Sequence, residues 1–241
     1  MAPAAPVLDD VVAAVAHARE RIAAAAERSG RDVAAVRLIA VTKTVEVDRI
    51  TAAIAAGVRD IAENRVQEAA RKQPDLPDGL VHHLIGHLQA NKAGRAATLF
   101  DTVHSVDGER IAQALAARRP EGLADLDVLL EVELTGLPNH TGFAPADLEA
   151  GVRAVAAIPR LRLRGLMAMA PPADDPEAAR PTFARLRDLR DRVQDATGTA
   201  LPELSMGMSD DYVIAVEEGS TMVRLGRALF GGRIQARAEA G

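Results

Sequence analysis

The chain has 241 residues, 48% of them apolar, a formal charge of -5 and no cysteine. That is enough apolar material for one large core; the acidic balance excludes a broad nucleic-acid face, which needs dense cations, and the lack of thiols excludes disulfides, thiolate metal sites and cysteine nucleophiles. The opening MAPAAPVLDD has no basic start and no signal-length apolar run, and no later stretch approaches about 18 apolar residues, so a cytoplasmic protein with no membrane span is expected.

From Val7 to Arg28, apolar residues recur at three-to-four spacing and stop at Ser29-Gly30, which predicts an N-terminal helix over 7–29. Beyond it, short β-branched or apolar runs fall at 36–42, 58–62, 80–85, 102–106, 126–134, 161–169, 203–206 and 222–230. Alanine-rich segments of helical period, such as VDRITAAIAAG and GERIAQALAARR, separate most of them. Strand-helix alternation without a linker-like break predicts one TIM (β/α)8 barrel domain over about 36–232. An open doubly wound sheet is disfavoured, because TKTVEVDR stands where a glycine-rich fingerprint would follow the first strand.

Lysine usage is informative. Of 29 Lys and Arg residues, only Lys43, Lys72 and Lys92 are lysines. A lysine kept where arginine is the rule suggests an amine that can lose its proton and form an imine. Lys72 reads as part of the polar turn RKQPDLPDG and Lys92 as a helix start, whereas Lys43 ends the apolar run LIAVTK. An apolar strand around Lys43 is expected to desolvate its amine and make it nucleophilic. The rival reading is a strand-end lysine that snorkels into water.

Barrel active sites stand at the carboxyl ends of the strands, and phosphate sites are often built after strands seven and eight. Polar residues collect there: Lys43 after run one, Asn64 after run two, His87 and His104 after runs three and four. SMGMSDD follows run seven and RLGR lies in run eight, where hydroxyls, glycines and cations suit a dianionic phosphate. An imine-forming lysine facing a phosphate cup suggests a phosphorylated aldehyde, and pyridoxal 5'-phosphate (PLP) fits that description.

The ordered motifs AVTKT, ENRVQEA, HLIGHLQANK, HSVD, RGLMAMAP, LSMGMSDD and GSTMVRLGRALFG, over about residues 36–232, resemble the pyridoxal phosphate homeostasis proteins, PLP-binding relatives of the alanine racemase N-terminal barrel. The resemblance implies PLP held as an internal aldimine on Lys43. It implies phosphate contacts from Ser205, Gly226 and the neighbouring Arg227, and ring-side contacts from Asn64 and Met169. Arg224 corresponds to a family residue near the ring nitrogen or phosphate. Facing the nitrogen, a guanidinium can only donate, which leaves the nitrogen unprotonated and the ring a weaker electron sink. Arg227 replaces a threonine common in the family, and Ala62 a glycine; nothing is carried over onto His140.

The resemblance implies a carrier involved in PLP homeostasis and amino-acid balance, with PLP-dependent apoenzymes as candidate partners and no known turnover. The alternative is a weak amino-acid racemase, which needs acid/base groups on both faces of the substrate. The racemase takes its second base from a β-rich domain after the barrel, which this sequence is not expected to carry, so a monomer is expected as well. Tyr212, the only tyrosine, is read as helix-start packing. The barrel histidines are read as structural or ring-stacking residues, with the adjacent His82 and His83 on opposite faces. No HxH or HExxH pattern suggests a metal site.

Overall fold

The structure, a computed structural model, describes residues 5–137 and 141–231, with side chains from Leu8 onward. His140 and position 232, the end of the expected barrel, lie outside these residues. Strands β1 (Arg37–Val41), β2 (Asp60–Glu63), β3 (Val81–Leu84), β4 (Thr102–Val106), β5 (Leu126–Glu131), β6 (Leu161–Met167), β7 (Glu203–Ser205) and β8 (Met222–Leu225) close into a barrel in chain order. Every pair is parallel, and Ala40 opposite Leu225 closes the ring between β1 and β8.

The helices are α1 (Ala5–Arg28), α2 (Val47–Ala55), α3 (Val66–Lys72), α4 (Ala93–Leu99), α5 (Glu109–Ala116), α6 (Leu148–Ala156), α7 (Arg180–Thr197), α8 (Tyr212–Glu217) and α9 (Arg227–Phe230). The stripe Val11, Val15, Ala18, Ile22 and Ala25 buries one face of α1 in a cluster with Tyr212, Val216, Leu229 and Phe230. Among the described residues, no helix is long and apolar enough to cross a membrane.

The eight expected runs coincide with the eight strands. The last is shorter than its apolar run, because the chain turns at Gly226 and RALF continues as α9. Apolarity alone does not separate the end of a buried strand from the start of a buried helix. Gly165 permits the close pairing of β6 with β7: a Cβ there would stand 1.8 Å from the Glu203 carbonyl oxygen.

Side-chain alternation divides each strand between the helical shell and the barrel interior. On β1, Ala40 joins the α1 cluster while Ile39 and Val41 pack inside with Ala62 and Met222. On β8, Val223 and Leu225 face outward and leave Arg224 on the inner side with Met222. The same parity turns Asp60 and Asn64, His83, His104, Glu131, Met169 and Ser205 inward. TIM barrels ordinarily fill this space with branched aliphatic layers. Here much of it is polar.

Candidate functional site

Strand β1 ends at Val41, and Lys43 lies two residues beyond it at the barrel mouth, on the parity of Ile39 and Val41. It is exposed. The desolvated amine expected from the sequence is therefore not what the fold makes, because the apolar run stops short of Lys43. The buried lysine is instead Lys72, which closes α3 rather than standing in a polar turn and is 6% exposed.

Lys72 uses its compact ammonium fully. Nζ donates to the Thr42 carbonyl at 2.6 Å, to Glu63 Oε1 at 2.9 Å and to Glu68 Oε1 at 2.7 Å. Glu68 Oε1 also accepts the Thr44 N–H at 2.6 Å, and Glu63 Oε1 the Thr42 hydroxyl at 2.7 Å. One ion cluster thus grips the backbone on both sides of Lys43, whose next residue, Thr44, holds φ at 60°. Burial pushes the Glu63 carboxyl above its ordinary range. Burial acts the same way on Glu68, but hydrogen bonds from Lys72 and the Thr44 N–H outweigh it and bring that carboxyl below.

Register fixes the neighbours of Lys43. Val41 pairs with Ala62, so Asn64 stands level with Lys43 at the end of β2, while Ala40 pairs with Leu225 and brings Gly226 beside Val41. A Cβ on Gly226 would lie 3.5 Å from the Val41 Cβ. Asn64 Oδ1 is buried with no hydrogen-bond partner among the described residues, an acceptor available to a ligand hydroxyl. Gly86 allows β3 to approach here, since a Cβ on it would meet the Asn64 carbonyl oxygen at 2.3 Å. Met169, half-buried, follows the end of β6.

Below the mouth, Arg224 is 4% exposed. Nη1 donates to Ser205 Oγ at 2.7 Å and Nη2 to the Ala168 carbonyl at 3.2 Å. Burial pulls its guanidinium down to about 10 against the opposing fields of Asp211 and Glu131, which leaves it charged at neutral pH. Ser205 is fully buried and pairs with Met222, one inward position below Arg224, with its hydroxyl engaged by Arg224 and by His104 Nδ1 at 2.8 Å. That is a place in the barrel interior. The half-buried Ser209 instead reaches α9, its Oγ accepting the Ala228 N–H at 3.1 Å, and Arg227, exposed, pairs with Asp210.

Three other expectations meet the structure here. His83 is buried inside the barrel and His82 faces the other way, as alternation requires. His87 is exposed at the rim with Nδ1 3.1 Å from Asp107. Tyr212 is 2% exposed beneath α1, with the Arg21 guanidinium 5.3 Å from its ring centre. It packs in the α1 cluster. Among the described residues, no group of three or more His, Cys, Asp or Glu side chains could hold a metal.

Glu131, at the inward end of β5, escaped the sequence reading. Burial, and next the negative field of Asp107, push its carboxyl up to about 7 against the opposing pull of Arg224 and Thr141. A carboxyl raised from 4.5 to about 7 keeps its proton in the fold after the unfolded chain has lost it. Its contribution to stability is therefore full below about pH 4.5 and falls as pH rises to about 7, by on the order of 3 kcal/mol in all. Glu131→Gln is expected to flatten that slope and to make the protein more stable than the parent at pH 8, measured by urea unfolding across pH.

Residues 13–234 match the family model described as alanine racemase, N-terminal domain. A pyridoxal phosphate homeostasis protein of Pseudomonas aeruginosa is 47% identical over 91% of this chain and 94% of its own length. The chain belongs to the pyridoxal phosphate homeostasis protein family. The Escherichia coli K12 member is 39% identical over 94% of this chain and 98% of its own. Among solved structures of such relatives, PipY of Synechococcus elongatus with PLP bound is 40% identical, with a TM-score of 0.77 over 88% of this chain and 99% of that one. The sequence resemblance and the closed eight-stranded barrel are thereby both established.

Proposed function

We propose that this chain binds PLP through Lys43 at the barrel mouth and serves cofactor homeostasis and amino-acid balance by holding it for release to PLP-dependent apoenzymes. The observation that supports the reading is the register: it brings exposed Lys43 to the barrel mouth beside the ends of β2 and β8, which carry Asn64, whose buried oxygen has no partner among the described residues, and Gly226, while Arg224 is buried in the barrel below. Bound PLP supplies an aldehyde that condenses with an amine, releasing water, and an electron-withdrawing ring.

The chain's residues divide the binding among them. Lys43 is the amine. Asn64 Oδ1 would accept from the ring hydroxyl, and Met169 would supply an apolar contact to the ring. Arg224, a donor only, would leave the ring nitrogen unprotonated if it contacts it. The phosphate is taken by the segment after β8, Gly226 and Arg227, with the hydroxyl of Ser209 in the role that the family resemblance implies for Ser205. The single tyrosine is committed to α1, which favours a holding site over an acid/base pair across the cofactor.

Titration with PLP beside pyridoxal, followed by absorbance, tests this reading. PLP is expected to bind roughly 100-fold tighter, the scale of charged hydrogen bonds to one phosphate group. Equal affinities would remove the phosphate cup, and no cofactor band with PLP would remove the reading altogether.

A further inference from the structure

Arg224 is the last member of a chain of hydrogen bonds that crosses the barrel interior. From Ser205 Oγ the contacts run to His104 Nδ1 at 2.8 Å, from His104 Nε2 to His83 Nδ1 at 2.9 Å, and from His83 Nε2 to Asp60 Oδ1 at 3.0 Å. The two rings meet edge-on, with centroids 5.1 Å apart. His83, His104 and Ser205 are each 0% exposed. Asp60 opens β2 at the amino-terminal end of the barrel, opposite the mouth, and Arg37 Nη1 lies 3.9 Å from it. Lumenal polar groups of this kind displace the aliphatic layers that would otherwise stabilise the barrel, so a role beyond packing is indicated.

The direction of every bond follows from the two ends. A guanidinium only donates and a carboxylate only accepts. If Ser205 accepts from Arg224 and donates its own proton to His104 Nδ1, then His104 carries its proton on Nε2 and passes it toward His83 Nδ1. His83 in turn carries its proton on Nε2 and donates to Asp60. All members are then satisfied with both imidazoles neutral. The reverse direction needs a doubly protonated His83 and leaves no acceptor for the Ser205 proton, placing a second cation in the same dry lumen as Arg224. Burial, with His83 and Arg224 acting in the same direction, pushes His104 well below the ordinary histidine value, as the first arrangement requires.

We propose that Asp60, His83, His104 and Ser205 form one directional hydrogen-bond chain that sets the aim of the Arg224 guanidinium from the opposite end of the barrel, making them positioning residues for the cofactor ring. The proposal rests on the PLP reading only in its last step, from Arg224 to the ring. Ser205 and the Ala168 carbonyl hold the two terminal nitrogens of Arg224 at different points, which fixes the guanidinium plane. Removing the acceptor at Asp60 lets the tautomers reverse along the chain, frees the Ser205 proton and loosens that plane.

Long-range nitrogen-15 histidine spectra of the cofactor-free protein test the chain by itself. His83 and His104 are both expected as neutral Nε2–H tautomers in the wild type, and His104 is expected to shift toward Nδ1–H in Asp60→Ala. An imidazolium at His83, or an unchanged His104 in Asp60→Ala, overturns the chain. With PLP added, Asp60→Ala and the small interior change Ser205→Ala are each expected to release the cofactor roughly tenfold faster and to displace its absorbance band, the size of effect seen when supporting partners of a ligating group are removed. The tautomer readout in wild type needs no variant to fold, and a thermal melt screens both variants first. Wild-type release kinetics and band position in both folded variants overturn the positioning role while leaving PLP binding intact. A wild type that takes up no PLP defeats the cofactor reading, and this last step with it, whatever the tautomers show.

Discussion

Lys72→Met is expected to lower the unfolding free energy by about 3–5 kcal/mol, the scale at which a buried ion pair loses one partner. The substitution keeps the aliphatic stem and removes the ammonium. Glu63, its side chain only 7% exposed, is then left without its cation, and its Oε2 has no partner among the described residues even in the parent. The Thr42 carbonyl keeps only the Val45 N–H of its two donors, and Glu68 keeps only the Thr44 N–H. Lys72→Arg is expected to fall short of rescue. The void beside the ammonium, whose lining includes Thr42, Glu63, Lys72 and His82, measures about 10 Å3, room for no more than one water, and a planar fork does not reproduce three converging bonds from one nitrogen.

The double variant Lys72→Met with Glu63→Gln is expected to recover part of the loss, because the uncompensated carboxylate goes with its cation. Urea unfolding of the parent, Lys72→Met, Glu63→Gln and the double variant at neutral pH measures the coupling. A loss below about 1 kcal/mol in Lys72→Met would show that the cluster is solvated in practice and behaves as a surface pair. The same variants are expected to bind PLP more weakly, since Thr42 and Thr44 flank Lys43 and both are held by this cluster.

Much of this molecule could be read from its sequence, and the failures have physical causes. The eight strands were legible because buried parallel strands are near-continuous apolar runs. The end of β8 was not, since RALF suits a strand or a helix and Gly226 alone decides. Among the candidate site residues, Lys43 and Asn64 come to one barrel mouth with Arg224 buried below it, because register brings these strands side by side. Lys72 was misread because the polar residues after it set the reading, whereas its burial follows from partners nine and four residues earlier in sequence, Glu63 and Glu68. Ser205 lies inside the barrel, engaged by Arg224 and His104. Strand β7 is only three residues long, and its last position lies a full inward step below Arg224, so the hydroxyl nearer α9 is Ser209, beyond the glycine turn. Counting inward positions at period two along β3 and β5 would have singled out His83 and Glu131, two buried polar residues on faces that ordinarily carry aliphatics.

Lys43→Ala is expected to abolish covalent capture of PLP while leaving the fold unchanged. The residue is exposed, and the contacts that hold its turn come from Thr42 and Thr44 rather than from its own side chain. Of the other lysines, Lys72 is enclosed by two carboxylates and a carbonyl, and Lys92 lies in the turn before α4, away from the end of β1. Incubation of the wild type with L- or D-alanine is expected to leave each isomer uninverted.

The account is tested most directly by borohydride reduction of the PLP-loaded wild-type protein and of Lys43→Ala, followed by peptide mapping. The predicted result is one reduced pyridoxyl group per chain, on Lys43, and none in the variant. A pyridoxyl group on another lysine of the wild type, or a wild type that takes up PLP and yields no reducible adduct, would contradict the assignment of Lys43 as the cofactor's amine.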